Sequence, residues 1–175
     1  MNFDKENILK LIENFDFDVK DINIYEIDLR TSETLKNSVN LLEAIQDFHS
    51  QIENASFKQI SNLKDLDQFL TNDIIHEVAQ WNINIYDFEL GNNAFFKLEY
   101  LEENNYFDDA LEMVNNDKQF QEQKTIGLLK IAEFEILKEC LYSYKDKMLK
   151  HLFENITQNQ FEKEYELENN KEMTL

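Results

Sequence analysis

The sequence predicts a mainly α fold, a helical bundle built around one long C-terminal helix. Two observations carry this. Between Gln119 and Thr157, residues Phe134, Leu137, Leu141, Tyr144, Met148, Leu152 and Ile156 recur at helical spacing, and Leu129, Ala132, Ile136 and Cys140 form a neighbouring stripe. Two adjacent stripes make an apolar face too wide for a surface helix, so this segment is expected to be the central post of the core. Glu33–Glu53 supplies a second amphipathic helix, with Leu35, Leu42 and His49 at one heptad position and Ser38, Ile45 and Ile52 at another. Val39 and Phe48 lie alongside. One compact helical domain is expected over 1–157, followed by a polar acidic tail over 158–175, frayed or mobile.

From the start of the chain, Asp4 is placed to cap a helix over Lys5–Phe15, with Ile8, Leu11, Ile12 and Phe15 on one stripe. Asp16, Phe17 and Asp18 break that pattern. Asp21–Leu29 (DINIYEIDL) is β-branched and roughly alternating, which favours a strand with a bulge at Ile24–Tyr25. A helix that groups Ile22, Tyr25 and Leu29 is the competing reading. Ser32 precedes the second helix as a cap. After a turn over 54–61, Asn62 or Asp65 opens a helix to Trp81, with Leu66, Phe69, Leu70, Ile74, Val78 and Trp81 facing inward.

Asn82–Leu90 (NINIYDFEL) repeats the Ile-Asn-Ile-Tyr of Asp21–Leu29 at an offset of 61 residues. As strands, the two copies are able to pair in parallel across the intervening helices, giving a small two-stranded β element. Beyond Gly91, Asn93 caps a helix to about Asn104, Asn105 interrupts it, and Tyr106–Val114 forms a second short helix. The fourteen residues Leu101–Val114 (LEENNYFDDALEMV) resemble the inter-helix turn of a tetratricopeptide unit, in a single copy and without its usual glycine. That resemblance implies a helical hairpin. Asn116 or Asp117 caps the final helix. Its length, about 50 Å for more than thirty residues, leads us to expect a kink. Lys138, Lys145, Lys147 and Lys150 gather toward its C-terminal end, where they complement the helix dipole.

Composition excludes several function classes. The 175 residues carry a formal charge of −19, which argues against direct nucleic-acid or anionic-membrane binding through a basic patch and favours a positively charged partner. The only glycines, Gly91 and Gly127, are too far apart for a phosphate-cradling or dinucleotide-binding loop. One cysteine, Cys140, makes no disulfide framework. The charged start of the chain and the lack of a long apolar run lead us to expect a cytoplasmic protein with no membrane span.

Candidate chemistry is sparse. Asp73, His76 and Glu77 share one helical turn, but neither His49 nor His151 has a carboxylate three residues before it, and no two histidines stand four apart as a zincin requires. Cys140 sits within an apolar stripe, where burial makes a thiol inert. Glu102–Glu103 and Asp108–Asp109 are adjacent pairs that point about 100° apart on a helix, as solvated faces do. Trp81 and the other aromatics read as core, since stacking on bases is unfavourable at this charge. No catalytic residue, metal or cofactor is expected.

The acidic surface remains. Asp65–Asp117 carries thirteen acids against the single base Lys97, a net −12. Interleaved apolar residues let the stretch fold. A rigid face of carboxylates resembles the regularly spaced charge of nucleic acid and is able to occupy a basic groove. The expected function is non-enzymatic: binding and inhibition of a basic nucleic-acid-handling effector or nuclease, as phage and plasmid anti-restriction and anti-CRISPR proteins do by nucleic-acid mimicry. The expected binding residues are Asp87, Glu89, Glu99, Glu102, Glu103, Asp108, Asp109 and Glu112. An immunity protein against a nuclease toxin, or a helical adaptor with an apolar groove, are the alternatives.

Overall fold

The computed structural model describes residues 3–22, 24, 29–83, 92–120 and 122–173; for 29–32, 92–93 and 158–173 it describes the backbone alone. The helices are α1 (Lys5–Glu13), α2 (Leu29–Asn37), α3 (Leu41–Asn54), α4 (Leu63–Phe69), α5 (Ile75–Trp81), α6 (Asn92–Glu103), α7 (Phe107–Asn115) and α8 (Lys124–Met173). Among the described residues there is no strand, and no helix is long and apolar enough to cross a membrane. The β element expected from Asp21–Leu29 finds no support: Asp21 ends a 3-10 turn (Val19–Asp21) and Leu29 already begins α2. Residues 25–28 between them, and 84–90 of the second copy, lie outside the described residues.

α8 is the post that the two stripes implied. It packs against every other helix. Leu129, Ala132, Ile136, Leu137, Cys140, Leu141, Tyr144, Met148 and Leu152 are all buried. A fully buried Leu or Ile contributes roughly 1.5–3 kcal/mol, so α8 organises the core energetically as well as geometrically. α8 differs from expectation in three ways, two at its ends and one in its interior. Asp117 caps a 3-10 turn (Lys118–Phe120) by accepting from the Gln119 N–H at 2.9 Å, and α8 opens later, at Lys124. The expected kink is replaced by one uninterrupted run of fifty residues, about 75 Å. The backbone remains helical past Gln158, through most of the expected tail.

The N-terminal caps follow their side chains. Asp4 accepts from the Asn7 N–H at 2.9 Å and opens α1. Asn62 accepts from the Asp65 N–H at 2.8 Å, while the Asp65 carboxylate takes the Ser61 N–H at 3.0 Å, a reciprocal cap that opens α4. The single helix expected over Glu33–Glu53 is instead α2 and α3, broken over 38–40, and Ser32, its expected cap, lies inside α2. The break resets the phase. α3 buries Leu41, Ala44, Ile45, Phe48 and Ile52, which leaves Leu42 62% exposed instead of on the expected seam.

α4 and α5 are joined by a π turn, Leu70–Ile74, in which the Ile75 N–H reaches back to the Leu70 carbonyl. The core residues Leu66, Leu70, Ile74, Val78 and Asn82 are spaced by four. In a straight α-helix four such steps would walk the stripe round by about 160°. The extra residue in the π turn removes about 100° of that drift and keeps all five inside. Trp81, expected in the core, falls off this corrected stripe and is 57% exposed.

Buried lysines fasten the connections. Lys36 donates to the carbonyls of Val19 (3.3 Å) and Ile22 (3.0 Å), tying the 3-10 turn to α2. Lys145 reaches from α8 to Thr71 Oγ1 in the π turn (2.8 Å) and to Asp67 (2.7 Å). Asn82 donates to Asp47 at 2.8 Å, and its carbonyl accepts from Asn40 at 3.1 Å, which fixes the end of α5 to α3.

Candidate functional site

α6 and α7 form the hairpin that the Leu101–Val114 resemblance implied. α6 closes with paired bonds: the Tyr106 N–H reaches the Leu101 carbonyl at 2.8 Å and the Asn105 N–H reaches the Glu102 carbonyl at 3.1 Å. This is the Schellman arrangement, which requires a left-handed residue just past the helix. Asn105 fills that place with φ 56°, standing where a glycine is usual. The chain then turns directly into α7.

The hairpin displays the expected acidic residues. Glu102, Glu103, Asp108, Asp109 and Glu112 are exposed, and Glu99 is half-buried. Helical spacing sets Glu99 beside Glu102 and Glu103 on α6, and Asp108 and Asp109 beside Glu112 on α7. Glu102 and Asp108 stand on either side of the turn, where with Asn105 and Phe107 they line an open notch of about 320 Å³. Asp87 and Glu89 lie outside the described residues. Among the described residues these hairpin carboxylates form no ion pair. Lys97, the one base of the stretch, is buried and turned inward to Glu133 (3.4 Å) and the Ser38 carbonyl (3.3 Å).

Below the hairpin lies an apolar cleft of about 300 Å³ between α5, α7 and α8. Tyr106, Met113, Phe120, Ile131 and Phe134 line it, with Gly127 at its floor. His76 sits at its edge, its ring 4.8 Å from that of Phe134 and nearly perpendicular. Asp73 and Glu77 flank it, both exposed, and no set of three or more His, Cys, Asp or Glu side chains gathers at one point among the described residues.

Sequence reasoning missed a third concavity. Leu9, Ile12, Glu13 and Phe15 from α1 and its end, His49, Ile52 and Glu53 from α3, and Tyr144 from α8 line a partly open concavity of about 570 Å³. His49 and Tyr144 share a hydrogen bond across it. Burial pushes the Tyr144 phenol up to about 12 and lowers His49 below its ordinary value, the Glu53 carboxylate opposing the second shift in part. Both groups are therefore neutral near pH 7. The heptad position of Leu35, Leu42 and His49 gave no signal of it, since α3 leaves Leu42 exposed and His49 half-buried.

No protein-family model, curated protein or solved structure matches this chain.

Proposed function

We propose that this is a non-enzymatic acidic protein that binds and inhibits a basic nucleic-acid-handling effector in the cytoplasm through the α6–α7 hairpin. The observation that supports it is the placement of charge. Across Asp65–Asp117 the sole base, Lys97, is buried, while Glu102, Glu103, Asp108, Asp109 and Glu112 face solvent. Unneutralised carboxylates on a rigid hairpin attract a basic groove at long range and compete there with phosphates. A rigid presentation also limits the ordering cost on binding. Nuclease toxins offer the same kind of groove, so an immunity protein is a variant of this reading.

The test is affinity capture from target cells with wild type beside a variant carrying Glu99→Gln, Glu102→Gln, Glu103→Gln, Asp108→Asn and Asp109→Asn. Capture of a basic nuclease or other nucleic-acid-binding protein by wild type, its loss in the variant, and its steep weakening with salt are expected. Equal capture by both proteins overturns the reading. The cleft of Tyr106, Met113, Phe120, Ile131 and Phe134 favours a second reading, an adaptor that seats an apolar segment of a partner. Binding there would be nearly indifferent to salt.

A further inference from the structure

The chamber between α1, α3 and α8 has features that core packing does not require. Its volume, about 570 Å³, falls in the range of small-molecule sites. Leu9, Ile12 and Ile52 make one wall apolar. Phe15 and Tyr144 supply ring surfaces, their centroids 5.6 Å apart, and His49 adds a third ring 5.5 Å from Tyr144. Two carboxylates, Glu13 and Glu53, border the same space.

The positions of those carboxylates are the informative part. Glu13 is the last residue of α1, whose last turn also holds Lys10, ion-paired to Glu6 at 3.3 Å, and Glu53 is in the last turn of α3, which has no basic residue. A helix C-terminus already carries about half a negative charge, so an acid there is disfavoured. Two helix ends and two acids thus concentrate negative potential on one cavity. Among the described residues no lysine or arginine lines it, and burial disfavours the charged form of His49. Aromatic faces beside negative charge attract an organic cation.

We propose that this chamber binds a small organic cation, an ammonium group carried on an apolar stem, with the stem against Leu9, Ile12 and Ile52 and the charge between Glu13, Glu53 and the rings of Phe15 and Tyr144. The proposal is independent of the hairpin.

Phenethylamine and its neutral analogue 2-phenylethanol test it by calorimetry on the full chain. The amine is expected to bind one to one and at least about tenfold more tightly than the alcohol. Glu13→Gln with Glu53→Gln, both exposed positions that the fold tolerates, is expected to bring the two ligands level. A Glu102→Gln, Asp108→Asn variant is expected to leave amine binding unchanged, which separates the chamber from general attraction to an acidic surface. Equal binding of amine and alcohol to wild type overturns the proposal, as does no binding of either at about millimolar concentration. A preference that survives in the Glu13, Glu53 variant, or that falls in the hairpin variant, overturns it too. A capped lysine peptide that outcompetes phenethylamine, sensitive to the same Glu13, Glu53 changes, supports the same chemistry with a partner's side chain as its source.

Discussion

Lys97 Nζ lies 3.4 Å from Glu133 Oε1, and both side chains are almost fully buried between α6 and α8. A buried ion pair adds little net stability compared with an apolar pair, but removing one partner leaves a charge in a medium that cannot solvate it. Lys97→Met is expected to cost about 3–5 kcal/mol. Adding Glu133→Leu should recover most of that. Urea denaturation of the single and double variants measures both. A single variant within about 1 kcal/mol of wild type would show that Glu133 does not depend on Lys97.

Asn105 holds a left-handed conformation that costs a residue with a Cβ about 1 kcal/mol or more. Asn105→Gly is expected to stabilise by about 0.5 kcal/mol and Asn105→Ala to destabilise by about 1 kcal/mol. Thermal unfolding distinguishes them. The opposite order would mean that the Asn105 side chain, and not its backbone, matters to the turn.

Gly127 lies inside α8, where alanine would ordinarily gain about 1 kcal/mol. A Cβ there would stand 2.9 Å from Phe120 Cγ and 2.9 Å from Val114 Cγ2. Val114 is buried in α7 and the ring carbon is not a flexible tip, so overpacking, typically about 1–3 kcal/mol, outweighs the helix gain. Gly127→Ala is expected to lower the melting temperature. A rise would show that the α7–α8 contact yields easily.

Burial, with the Glu139 carboxylate adding to it, pushes the Cys140 thiol up to about 12. At pH 8 the native protein should therefore react with a thiol reagent no faster than it unfolds, and urea should release the reaction. Labelling at the rate of a free thiol in the native state would contradict the packing of α8.

His49 has a folded-state pKa below 6.5 because burial disfavours its charged ring. As acid is added, the unfolded chain takes up this proton first. Stability from this group is full above pH 6.5 and falls as the pH drops from there through the folded-state value. Most carboxylates titrate only nearer 4, which leaves a window of roughly pH 6.5–5. Unfolding free energy should decline across that window in wild type, and His49→Gln should flatten the decline. An unchanged slope would exclude His49 as its source.

What the sequence disclosed depended on whether one period ran unbroken. The buried face of α8 was legible because Leu129 to Leu152 keep a single helical phase, but its ends were not: it runs Lys124–Met173 and not Gln119–Thr157. The hairpin was legible because Asn104–Asn105 interrupts two short stripes. Phase changes were not legible. Leu42 and Trp81 were misplaced for one reason: the break over 38–40 and the π turn at Leu70–Ile74 each re-register a stripe, and neither carries a glycine or proline to announce it. The π turn is held by Lys145 from α8, more than seventy residues along the chain, and local pattern cannot reveal so distant a partner. For the same reason the acids of the hairpin could be named in advance, but the chamber could not, since it is assembled from α1, α3 and α8.

The dominance of α8 also sets an order of events during synthesis. Ile8, Phe48 and Leu70 belong to one core whose other half is Leu128 to Leu152. At roughly 5–20 residues per second, the ribosome delivers Leu152 on the order of ten seconds after Ile8. Through that interval the apolar faces of α1, α3 and α4 have emerged without the helix that covers them. α3 and α5 can pack against each other in that time, but the core is covered only when α8 arrives.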